Sequence, residues 1–307
     1  RYRTLAGATA AAANAVIPAG VGVVTTEQVH RLPEPVADHV IAAGAVGRPP
    51  VTGFRARISG RIRGGPDEPW LPFTGEQTNT FTPAWTRVFR IDATRAGLPT
   101  DVLHAFIGPH ASMSVKVASL LPVVDVDGTA HPELDEAETV TLLNDVVLFA
   151  PAALLDAPIE WTAVDAHRAR AAFTHEGRTV HADLRFDDTG TLVDFVSADR
   201  WRSGPDGRGF VRQVWSTPVD EWTRIGGRTV LRRGRGRWHP PGEAAFDYLE
   251  VVVEDIFIVA LGDSFASGES NPDRPVQFSA SREMVYDPAL VRQDVARART
   301  AAPTPGY

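Results

Sequence analysis

An α+β fold built on a largely antiparallel, curved sheet follows from three features of the sequence. Segments with period-two alternation recur from residue 53 onward, clusters of turn-forming residues separate them, and one long segment carries helical periodicity. A run of strands interrupted by a single helix reads as α+β with antiparallel pairing.

The elements follow in chain order. The chain opens on Arg1, as a processed or trimmed polypeptide would, and residues 5–24, "LAGATAAAANAVIPAGVGVV", carry no charge. That length could span a bilayer. The content is Ala and Gly, however, with Asn14 and Pro18 inside, and Ala favours insertion far less than Leu or Ile. Ala13-Asn14-Ala15 has the A-x-A form of a signal cleavage site. Residues 1–30 are therefore read as a flexible or loosely helical arm through which membrane association is open.

Thr25 and Gln28 stand in capping-box spacing, while Pro33 and Pro35 would interrupt a helix, so two short helices are expected within 25–47. In "FRARISGRIR" (54–63), Phe54, Ala56, Ile58 and Ile62 point one way and the arginines the other, a half-buried strand. Further strands are predicted at 86–91, 112–118, 169–174, 179–186, 191–197, 210–216, 228–238 and 246–258, with "GGPDEP", "VDGTAHP", "DDTG", "GPDG", "IGG" and "PPGE" as turns. The long helix is 132–148: Pro132 suits its first position, acids crowd its N-terminal end, and Leu134, Ala137, Leu143, Val146 and Val147 form an apolar stripe.

Composition excludes several functions. With 307 residues, 43% hydrophobic and 22% charged, the chain can bury a core. A net charge of −7 argues against nucleic acid as the partner. The absence of cysteine removes disulfides, thiol catalysis and cysteine-ligated zinc. His104 and His110 are spaced like no common metal pair, no HExxH occurs, and no metal or cofactor is called for. Asn144-Asp145 read as structural groups on the long helix. The arginines of 228–238 alternate as a solvated strand face would. Seven tryptophans either fill a core or line an apolar cavity.

The pieces "LPEPVADHVIAAGAVGRPPV" (32–51), "PFTGEQTNTFTPAWTRVFRIDA" (72–93), "LPVVDVDG" (121–128), "ELDEAETVTLLNDVVLFAPAALLD" (133–156) and "GRGRWHPPGEAAFDYLEVVVEDI" (234–256) give 31–258 an order of landmarks. That order resembles a family of bacterial domains of unknown function. The resemblance implies one β-rich domain at 31–256, similar to lipoprotein-carrier sheets that cradle an acyl chain; the sequence does not fix a location, and the lean is to a secreted or envelope one.

Residues 257–269, "FIVALGDSFASGE", followed by "NPDRPVQFS" and "MVYDPALV", resemble the first sequence block of the SGNH (GDSL-type) hydrolases. The resemblance makes 257–307 a partial hydrolase segment, with Ser264 as nucleophile and Gly262 and Asp263 as its turn. A serine hydroxyl needs a base, usually histidine. No histidine follows Ser264, and the family's GxND and DxxH blocks are missing after it. Upstream, "LLND" (142–145) lacks the glycine, and "DVLH" (101–104) has DxxH form but stands before the serine. His104, oriented by Asp101, is thus the one candidate base.

Three readings stand. The first is a binding domain for an apolar or acyl-bearing ligand, catalytically silent. The second is an esterase or lipase acting through Ser264. The third is a scaffold whose C-terminal segment completes the sheet.

Overall fold

A computed structural model describes residues 22–260 except 83, 96, 118–120, 205–208 and 226, and also a small pairing of Gln277–Phe278 with Met284–Val285. Two short helices come first, α1 (Thr26–Val29) and α2 (Glu34–Ala42). The predicted capping box is present: the Gln28 N–H donates to Thr25 Oγ1 at 3.2 Å and the Thr25 N–H to Gln28 Oε1 at 2.8 Å. Val24 and Val29 are buried, so chain assigned to the N-terminal arm contributes to the core.

Six strands follow: β1 (Val51–Ile62), β2 (Leu71–Thr80), β3 (Thr86–Arg95), β4 (Leu98–Ile107), β5 (His110–Val117) and β6 (Leu121–Asp127). The long helix α3 (Pro132–Phe149) and a 3-10 turn at Pro151–Leu155 lead into the second set. These are β7 (Ile159–Asp165), β8 (Arg168–His175), β9 (Arg178–Phe186), β10 (Leu192–Ser197), β11 (Trp201–Ser203), β12 (Phe210–Arg212), β13 (Val214–Ser216), β14 (Val219–Ile225), β15 (Arg228–His239) and β16 (Phe246–Ala260).

One antiparallel sheet has the order β6-β5-β4-β3-β2-β1-β16-β15-β13-β10-β9-β8-β7, with β14 also paired to β15. β16 therefore closes the seam between two wings, one built from β1–β6 and one from β7–β15. Its span carries it across the boundary expected at residue 256. Register shifts interrupt the β1–β16 ladder at Arg57/Ile58 and the β15–β16 ladder at Gly236/Arg237. Such bulges add twist and bend the sheet. The wings curl far enough that Phe106 on β4 meets His175 on β8, ring centroids 5.0 Å apart, and Trp85 meets Phe173 at 4.9 Å.

Helix α3 lies in this concavity. The sequence predicts one apolar stripe, yet every residue from Ala137 to Phe149 is buried. The sheet wraps the helix, so the side opposite the stripe faces protein as well, and Glu138, Asn144 and Asp145 are buried there. The tryptophans mostly pack: Trp215 and Trp238 are in the core and Trp85, Trp161 and Trp222 rest against it. Trp70 packs against the guanidinium groups of Arg61 and Arg63, at 4.6 and 4.4 Å from its ring.

Candidate functional site

Two neighbouring cross-strand rows on the inner face of the sheet prepare the seat of α3. One runs Phe54, Asn79, Arg87, Phe106 and the other Ala56, Gln77, Phe89, His104 across β1 to β4. Polar groups therefore interrupt an otherwise apolar surface. Opposite them, α3 carries Glu138 and Asp145, about two helical turns apart and so on one side. Asp145 Oδ2 accepts from Gln77 Nε2 at 2.8 Å, Asn79 Nδ2 at 2.9 Å and Arg87 Nε at 2.9 Å. Arg87 Nη1 also reaches Glu138 Oε2 at 3.2 Å, and Arg200 Nη1 reaches Glu138 Oε1 at 3.4 Å.

Two cations and two carboxylates balance in this seat. Burial pushes the Asp145 carboxyl above its ordinary range in spite of Arg87. At Glu138 burial pushes the same way, but Arg200 and Arg87 together outweigh it and hold that carboxyl low. Asp135, one turn earlier, accepts from the Ala111 N–H at 2.7 Å and from Arg178 Nη2 at 3.1 Å and bonds His110 Nδ1 at 2.8 Å. A side chain at Gly128 would collide with that carboxylate, so glycine is required by close approach. The carboxylates are buried and engage these partners, of which His110 stays half exposed. They fix the position of α3 between the wings.

A separate groove of about 420 Å³ opens where β1, β2, β14, β15 and β16 come together. Its origin is a third cross-strand row, Phe73, Gly60, Val251, Gly234, Val219. The side chains of this row leave the opposite face, so its backbone lies bare between two ridges, Arg61 and Glu250 on one flank and Ser59, Val252 and Arg233 on the other. Phe73 packs over Gly60, where a Cβ would sit 3.0 Å from its ring. Pro72 and Val252 add apolar lining, and Ser59, Arg61, Asp220, Arg233 and Glu250 supply the polar part. Most of these polar groups are occupied. Arg61 holds Glu250 through two bonds of 2.7 Å, Asp220 takes Arg235 at 3.0 and 2.6 Å, and Ser59 donates to Glu254.

Gly262, Asp263 and Ser264 lie outside the described residues. His104 sits in β4 with its ring facing the seat of α3. Burial, with Arg87 and Arg200 nearby, lowers its pKa to about 4 against the pull of Glu138, so it is neutral. Its Nδ1 is buried and has no hydrogen-bond partner among the described residues. Asp101 does not orient it: three residues apart on a strand, the two side chains leave opposite faces. Asp101 is paired across the ladder with Asp92, whose carboxyl is pushed up by burial and by Asp101 against the pull of Arg90. The DxxH spacing would serve a helix or turn, and here it falls on a strand.

Sequence reasoning passed over Gln77, Asn79, Arg87, Glu138 and the groove. A signal existed for the helix, since Asp135, Glu138 and Asp145 share one helical side. Among the described residues no group of three metal-ligating side chains occurs, and no helix is long and apolar enough to cross a membrane.

Fold and site thus define a β-rich domain that grips a long helix in its concavity and carries an open groove on its sheet. The chain belongs to the family of unknown function DUF6544, whose model matches residues 22–251. No curated protein matches it. Among solved structures it is similar to a DUF1329 family protein from Desulfovibrio piger, with 12% identity, 79% of this chain and 93% of that one covered, and a TM-score of 0.40. It is also similar to a domain assigned to outer membrane lipoprotein sorting from Vibrio parahaemolyticus, with 8% identity, coverage of 75% and 93%, and a TM-score of 0.41. A LolA superfamily protein from Nitrosomonas europaea gives 11% identity, coverage of 76% and 93%, and a TM-score of 0.39.

Proposed function

We propose that this domain binds an apolar or acyl-bearing ligand on its curved sheet, without turning it over, in a secreted or envelope setting. The observation that carries the reading is the groove of about 420 Å³ floored by the backbone of Gly60, Val251 and Gly234 and edged by Pro72 and Val252. Its volume falls within the range of roughly 300–1,000 Å³ typical of small-molecule pockets. The flanking carboxylates are held by arginines, so an acyl chain entering the groove meets few unpaired charges. The concavity is not the receptacle, because α3 fills it.

Organic extraction of the purified protein followed by mass spectrometry is the first test, and copurifying acyl lipid is the expected result. A fluorescent uncharged acyl probe should bind the native protein and bind Val252→Trp, which fills the groove, several-fold more weakly. A protein that carries no lipid and ignores the probe removes the reading.

Ester hydrolysis at Ser264 is the second reading. β16 supports it, because this central strand runs through Ala260 and Gly262-Asp263-Ser264 follow closely in the sequence. Comparing native protein with Ser264→Ala on a short-chain nitrophenyl ester decides it, and equal rates dismiss it.

A further inference from the structure

We propose that the groove takes a single-chain amphiphile with an anionic head, and that Arg233 is the residue that reads the charge. This rests on the binding function proposed for the groove and names the chemistry of its ligand. The argument begins with the commitments of the surrounding arginines. Arg61 is paired with Glu250, Arg235 with Asp220 and Asp247, Arg237 with Asp247, and Arg232 lies 3.9 Å from Glu254.

Arg233 lines the groove and is exposed, and no carboxylate comes within ion-pair distance of it among the described residues. Glu221 stands across from it in the β14–β15 ladder without closing a pair. On its other side Arg233 faces Val252, and Val252 faces Ser59, so the guanidinium group borders the apolar lining. The two carboxylates that also line the groove are each neutralised by a bidentate arginine. The uncompensated charge at the rim is therefore one positive, beside the apolar edges of Val252 and Pro72 and the bare backbone at Gly60 and Gly234. An acyl chain ending in a carboxylate or a phosphate matches both parts, since a guanidinium forms two parallel bonds to either head.

Titration calorimetry on the full chain at low salt, with dodecanoate, dodecyl phosphate and dodecanol below their micelle concentrations, tests this. At least one anion should bind about tenfold more tightly than dodecanol, the scale of one charge-assisted bond. Arg233→Gln should erase that preference while leaving dodecanol binding unchanged. Arg233→Lys should restore part of it, and added salt should weaken the anions selectively. Acetate and inorganic phosphate, which lack a chain, should not bind over the same range. Equal affinities for dodecanol and both anions, or an anion preference that survives Arg233→Gln, overturns the assignment of Arg233 while the groove's binding role stands. Failure of all three amphiphiles to bind refutes the binding function and this inference together.

Discussion

His39 Nε2 donates to the carbonyl of Val147 at 3.0 Å, tying α2 to the C-terminal end of α3. The ring is buried between Phe186 and Trp222, at centroid distances of 6.1 and 5.2 Å. Burial lowers its pKa to about 4, only partly opposed by the bond to Val147.

Acid lability follows. A histidine whose folded pKa lies below its unfolded value of 6.5 gives full stability above that value and loses it as pH falls toward 4. At pH 5 the loss from His39 alone should be about 2 kcal/mol. His104, with the same direction and cause, adds to it. Urea unfolding between pH 7.5 and 4.5 measures the slope, and His39→Gln should flatten it.

Asp194 works in the opposite sense. Burial pushes its carboxyl up to about 6, more than Arg185 and nearby backbone N–H groups pull it down. Its Oδ1 is buried without a hydrogen-bond partner among the described residues. A carboxyl raised in the fold costs stability progressively as pH climbs from its unfolded value of 3.8 to about 6, because the buried charge must then be carried. Asp194→Asn should therefore raise the urea midpoint at pH 8 and change it much less at pH 4.

Removing Arg87 strands Asp145 and leaves Glu138 to Arg200 alone. Breaking one side of a buried ion pair costs about 3–5 kcal/mol, so Arg87→Met should lose stability on that scale. Arg87→Met combined with Asp145→Asn should recover part of the loss, because the remaining amide needs no countercharge. Chemical denaturation of the two single variants and the double variant gives the coupling.

Gly60→Ala should cost about 1–3 kcal/mol, since overpacking forces neighbours to move. The added Cβ meets the Glu250 carbonyl and the ring of Phe73. The added methyl leaves the face opposite the groove, so the thermal midpoint should fall while binding of the uncharged acyl probe holds.

Much of this architecture can be read from the chain alone. Alternation announced β1, β8 and β9, and Pro132 with its following acids announced α3. β2, β4, β7 and β14 carried no clear alternation of apolar residues, for a physical reason seen in β2. Its inward positions include Gly75, Gln77 and Asn79, which serve Phe89 and Asp145 instead of a greasy core. The polar seat was half legible, because acids on one helical side can be counted but their partner Arg87 is chosen by tertiary pairing. The groove was not legible at all. Gly60, Val251 and Gly234 are far apart in the chain and meet only through the register of β1, β16 and β15.

The position of β16 also bears on how the molecule is made. The ribosome releases β1 long before the strand that must lie beside it, and β15 has no neighbour on that flank until the same strand appears. Contacts spanning such distances form slowly, and the unpaired borders they leave invite association with other chains. During synthesis, both halves of the nascent protein therefore stay half-finished and vulnerable until the polypeptide through residue 260 has left the exit tunnel.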